Sequence, residues 1–209
     1  QKNWCNDSLL ESDLPLSFPP TYIENISERI SLYRELDGLS DEDSLLAYQK
    51  RLIDRFGKLP DEAEQLLNVV RLRWLCCRMG IEKVILKQER MSIYFITHNP
   101  KYFQSEVFEK ILRYVCSRLE RCRLVEDKDR QGHPTGKRYA VIQQVKTISG
   151  ALHLLSKVME EKAYPQPVCS MNVRSGHSIG LTPFTPKGTD YFIKPNSPPF
   201  REGLGVGLY

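Results

Sequence analysis

No apolar run in this chain approaches the roughly 20 residues that a membrane-spanning helix needs. The opening QKNWCNDSLL has no basic segment followed by a long apolar core, so no secretory signal is read there. Charge of one sign is also missing. Thirty Lys and Arg face 26 Asp and Glu, a net +4. Residues 165–209 hold Arg174, Lys187, Lys194 and Arg201 against Asp190 and Glu202, so only about +2 of that total falls on the rest. Such a balance does not announce a duplex-binding protein. The six cysteines form no CxxC pair, and His98, His133, His153 and His177 are scattered. Zinc sites draw on short paired spacings, so no metal site is expected. The cysteines are read as free thiols of a reducing, cytoplasmic setting.

Sequence signatures of catalysis are equally scarce. GxSxG, HExxH and GxGxxG are absent. Gly132–Arg138, GHPTGKR, superficially looks like a phosphate-binding loop. That loop needs four residues between its glycines and a hydroxyl after its lysine. Here three residues intervene, Arg138 follows Lys137, and a strand is expected next rather than a helix. Asp127 and Asp129 share a loop with Lys128 and Arg130 and read as solvated charges. No nucleophile, base and oxyanion site assembles, so no catalytic residue and no cofactor are expected.

What the sequence does contain is punctuation. Residues 1–20, with ESDLPLSFPP, read as a linker or extended arm. Over 22–36, Ile23, Ile26, Ile30, Tyr33 and Leu36 recur at helical spacing, and Asp37-Gly38 ends that helix. Ser40 is the expected cap of a second helix whose first turn is acidic and whose inward stripe is Leu45, Leu46, Leu52, Ile53 and Phe56. Gly57 ends it, Pro60 opens a third helix and Gly80 closes that one, giving an αα-hairpin.

The period then changes. KVILKQ (83–88) and MSIYFI (91–96) read as strands around Glu89-Arg90. A helix over 103–118, strands at 122–127 and 138–145, and a helix after Gly150 complete an α+β fold with a small, four-stranded, mostly antiparallel sheet. The expected domain runs 21–163. Residues 164–209 hold seven of the 13 prolines and six of the 12 glycines and read as a flexible tail.

Two sets of residues invite a functional reading. Arg71, Arg73 and Arg78 on the third helix could contact nucleic acid, although bases late in a helix also complement its dipole. At the end of the second helix, Asp54 and Arg55 lie roughly 145° and 115° from the centre of the apolar stripe, with Arg51 also outward. An Arg beside a carboxylate suits recognition of a partner's charges. An exposed Arg51–Asp54 pair within the helix explains the same residues.

LIDRFGKLPDEAEQLL (52–67), preceded by Leu14-Pro15, Tyr22-Ile23 and Arg29–Arg34 and followed by RLRWLCCRMGIEKV (71–84), resembles the C-terminal domain of bacterial transcription-repair coupling factors, the Mfd family. The likeness covers about residues 10–162. In that family the full protein is an ATP-driven translocase that displaces stalled RNA polymerase from damaged DNA and recruits UvrA for nucleotide-excision repair. The resemblance implies that this chain is not the motor but a regulatory domain. It would pack on a UvrB-like N-terminal module of the same polypeptide, masking the UvrA-binding surface and restraining the translocase. It carries the interdomain contact onto Asp54 and Arg55, with Arg51 and Phe56 beside them. Arg51 stands where the family pattern has an acid. The start at Gln1 fits the expectation that the chain is a piece of a longer protein or a processed product.

Overall fold

The computed structural model describes residues 3–160. The expected tail, with Cys169 and His177, lies outside the described residues. In order, the elements are β1 (Leu9–Ser12), α1 (Ile26–Asp37), α2 (Glu42–Phe56), α3 (Asp61–Met79), β2 (Ile81–Lys87), β3 (Arg90–Phe95), α4 (Glu106–Cys116), β4 (Cys122–Lys128), β5 (Pro134–Gln143) and α5 (Ile148–Glu160). A 3-10 turn over Pro100–Gln104 precedes α4.

The sheet has five strands, in the order β1-β2-β3-β5-β4. Four are those expected from the sequence, and they pair antiparallel. The fifth is β1, which joins β2 in parallel with Leu10 opposite Val84. It comes from the segment read as an arm. Four residues among prolines carry little strand signal, and a partner more than 70 positions away leaves none.

The hairpin turn also differs. Lys87 pairs with Arg90, so the turn residues are Gln88 and Glu89, at φ 51° and 56°. Two successive positive φ values make the tight turn that strand twist favours, achieved here without Asn-Gly. Asp13 accepts a 2.9 Å bond from the Gln88 amide and ties the turn to the arm.

Two apolar clusters hold the fold. One packs α3, α4 and α5 on one sheet face through Leu75, Met79, Val84, Ile93, Phe95, Phe108, Ile142 and Leu155. The other joins α1, α2 and the first half of α3 through Leu36, Leu45, Tyr48, Leu52, Ala63 and Leu67. Helix α3 belongs to both. Its end is fixed sterically. Gly80 sits at φ 69°, and a Cβ there would lie 2.3 Å from the Tyr102 ring. That ring is buried, and its hydroxyl donates to the Met79 carbonyl at 2.6 Å.

The amphipathic faces of α1 and α2 are narrower than their sequences suggest. On α1, Leu32 and Leu36 are buried, while Ile26 is 65% and Ile30 46% exposed. On α2, Leu45, Tyr48 and Leu52 point inward, while Leu46 and Ile53 are exposed. Tyr48 takes the place expected for them, because its ring fills the α1–α2 seam and its hydroxyl donates to the Leu32 carbonyl at 2.9 Å.

Candidate interdomain surface at the α2–α3 corner

Helix α2 is capped by Asp41, not Ser40. The Asp41 side chain accepts from the Ser44 amide and from the Ser44 hydroxyl, each at 2.8 Å. Those bonds hold its carboxyl below the usual range. The other end stops at Gly57, whose φ of 85° suits a residue without a side chain. Its amide bonds the Ile53 carbonyl at 2.9 Å. Pro60 then caps α3, whose first turn carries Asp61, Glu62 and Glu64. Tyr22 staples the corner from below. Its hydroxyl lies 3.2 Å from the Leu52 carbonyl and 3.0 Å from that of Gly57, and its ring packs on Phe56 at 5.7 Å.

On this fixed corner Asp54 is fully on the outer surface and makes no hydrogen bond or ion pair among the described residues. The Arg51–Asp54 pair within α2 does not form. Arg51 instead pairs with Glu35, and Arg55 pairs with Glu28, both across the seam on α1. Arg55 also lies over the Phe56 ring, 4.9 Å from its centre, and Arg51 lies 5.6 Å from the Tyr48 ring centre. The structure therefore brings Arg51, Asp54 and Arg55 to one outward corner, with Phe56 half-buried beside them against Tyr22. It adds what the sequence did not signal: two glutamates of the neighbouring helix that hold both arginines. Exposed Ile53 flanks the corner.

The arginines of α3 are differently placed. They line a cleft of about 930 Å³ floored by Val70, Trp74 and Leu152. Arg71 forks onto Glu42 at 2.6–3.1 Å, and Arg73 bridges Asp7 and Asp37. Burial works against the Asp7 carboxylate, yet bonds from Arg73 and the Ser8 amide hold its pKa below the usual value. Arg78 also lines the cleft. A ring of carboxylates thus answers two of these three cations.

The five described cysteines are free thiols. Desolvation first, then neighbouring Cys77, pushes the Cys5 thiol up to about 12, and burial likewise raises Cys76, Cys77 and Cys122. Asp129 folds the β4–β5 loop by accepting from the Gln131 and His133 amides, so its carboxylate serves the turn.

Known proteins resemble this chain in sequence and in fold. Residues 12–105, which contain the whole corner, match the TRCF domain. The transcription-repair-coupling factor of Rickettsia prowazekii is 31% identical over 102 residues, 49% of this chain and 9% of that protein. The Escherichia coli protein is 36% identical over 75 residues, 36% of this chain and 6% of its own length. That of Mycobacterium tuberculosis is 40% identical over 74 residues, 34% of this chain and 6% of its own length. This chain thus spans a tenth or less of the relatives it matches. A crystal structure of the C-terminal domain of transcription-repair coupling factor superposes with a TM-score of 0.54 at 18% identity, covering 75% of this chain and 95% of that one. Over residues 12–105 the chain is therefore similar to the TRCF domain, and its described residues take the fold of the C-terminal domain of transcription-repair coupling factor.

Proposed function

We propose that this chain is the non-catalytic, autoregulatory C-terminal domain of a transcription-repair coupling factor. It packs on the UvrB-like module of the same polypeptide, masks UvrA binding there, and restrains the ATP-driven translocase until RNA polymerase is engaged on DNA. One observation carries the reading: Asp54 stands outward, with no partner among the described residues, on a corner built by Tyr22, Gly57 and Pro60. An unpaired carboxylate on a rigid exposed turn adds little to this domain's own stability. It is well placed to accept a guanidinium or ammonium from a partner. Arg55 reaches the same partner by exchanging Glu28 for an acid across the interface, and Phe56 supplies apolar area.

The α1 glutamates give this contact a built-in competitor. Each arginine that turns outward forfeits an exposed ion pair, worth at most about 1 kcal/mol. A weak, reversible clamp suits a restraint that must open, and a coupling of about 1–3 kcal/mol is typical of switches. The nucleic-acid reading of Arg71, Arg73 and Arg78 loses support, since Arg71 and Arg73 are neutralised within the fold.

The test is a calorimetric titration of this chain into the UvrB-like module of its parent, with circular dichroism as the control for folding. Wild type is expected to bind, and Asp54→Ala/Arg55→Ala to lose most of that affinity. Binding that ignores the double substitution would move the interface elsewhere on the domain.

A further inference from the structure

Among the described residues, no helix packs on the second face of the sheet. Strand alternation places Val84, Leu86, Ile93, Phe95, Ala140 and Ile142 against the helices. The residues between them face the other way. Ile85, Val125 and Val141 belong to neither apolar cluster. The strand registers align this second face into rows. Lys83, Tyr94, Tyr139 and Val125 form one, and Ile85, Ser92, Val141 and Arg123 the next. Lys87, Arg90 and Gln143 form a third.

Two features of this face fit one kind of ligand. Tyr94 and Tyr139 stack at the centre, ring centres 4.6 Å apart and 21° from parallel. Both rings are half-buried, with Lys83 of β2 beside Tyr94 and Val125 of β4 beside Tyr139. Around it the charge is largely positive. Lys83 and Lys87 share the single carboxylate of Glu11. Arg90 and Arg123 are exposed and have no ion-pair partner among the described residues. Asp127, on the far side, is the other acid near Tyr94. Val141 and Ser92 are buried between the taller side chains and form the floor of the face. A stacking platform beside unpaired cations is the combination that binds single-stranded nucleic acid.

We propose that this open sheet face binds single-stranded nucleic acid, with bases against the outer faces of the Tyr94–Tyr139 pair and phosphates on Lys87, Arg90 and Arg123. Shape favours a single strand over a duplex. A five-stranded sheet with two standing rings offers no ridge that enters a groove, and stacking requires bases whose faces are free. The site is separate from the α2–α3 corner, so its failure leaves the proposed interdomain contact untouched.

Fluorescence anisotropy of a labelled oligothymidylate with the 209-residue chain tests it. The single strand is expected to bind with an affinity that falls with salt. Arg90→Gln/Arg123→Gln should flatten the log–log salt slope by about 1.4, roughly 0.7 for each single-strand phosphate that is no longer neutralised. Tyr94→Leu/Tyr139→Leu should weaken binding about tenfold or more without changing that slope. Tyr94→Phe/Tyr139→Phe should bind as wild type, because the ring faces remain, and this variant decides the matter if the leucine pair fails to fold. Absence of binding at low salt overturns the proposal. So does equal affinity for duplex. Polyglutamate binding as well as the oligonucleotide, with the tyrosines irrelevant, would make the face a site for an acidic protein surface and overturn it too.

Discussion

At the scale of single residues, Gly57 and Gly80 look alike in sequence, and the structure separates them. Both have positive φ, but a Cβ on Gly57 meets nothing within 4 Å, whereas one on Gly80 strikes the Tyr102 ring. Gly57→Ala should cost about 1–2 kcal/mol from backbone strain alone. Gly80→Ala should cost about 2–4 kcal/mol, because overpacking adds to strain. Urea denaturation at constant m-value measures both. Cys5 gives a chemical prediction. Its thiol, pushed up to about 12 by burial and by Cys77, holds almost no thiolate at neutral pH. An aromatic disulfide reagent should therefore label native Cys5, Cys76 and Cys77 far more slowly than the urea-unfolded chain. Equal rates would mean that the arm does not stay docked. Neither residue-scale feature was legible beforehand. A glycine announces a turn, but only the fold brings Tyr102 or Cys77 beside it.

Among the elements, α2 and α3 were legible because their ends are written locally: an acidic first turn, Gly57, Pro60, Gly80. Which face of α1 and α2 turns inward was less so. The wheel admits Ile26, Ile30, Leu46 and Ile53, yet α1 and α2 pack as a thin layer against α3 and the arm residues Phe18, Tyr22 and Ile23, and those contacts cover only a narrow stripe. Leu32 and Tyr48 occupy it, leaving the isoleucines outside. Strand β1 was not legible, since it borrows its order from β2. Its docking depends on more than the ladder. The Trp4 amide donates to the Cys77 carbonyl at 2.9 Å, and Arg73 holds Asp7. The Asp7 carboxyl has a lowered pKa in the folded state, so its contribution is complete above its unfolded value of about 3.9. That contribution is lost as pH falls through the folded value. Limited proteolysis should therefore cut the arm faster below about pH 4. In Asp7→Asn the extra sensitivity should be present already at neutral pH.

For the whole molecule, the decisive fact is that both apolar clusters run through α3, with Leu67 in one and Leu75 in the other. Leu67→Ala and Ile93→Ala alter different clusters, and each should lower stability by about 2–5 kcal/mol. Both variants should still unfold in a single transition seen alike by far-ultraviolet dichroism and tryptophan fluorescence. Two transitions in either would show that the helical layer and the sheet layer melt separately. The α+β class was legible from the change of period after Gly80. The open second sheet face was not, because alternation marks residues as paired faces without saying which face the helices will choose.

Helix α3 has 19 residues and so measures about 28 Å from Asp61 to Met79. One end sits at the exposed corner and the other is wedged by the Tyr102 ring under the sheet. A pull at this corner directed along α3 would load a stiff strut end-on, and its far end, wedged at Gly80, would pass that load to the sheet layer.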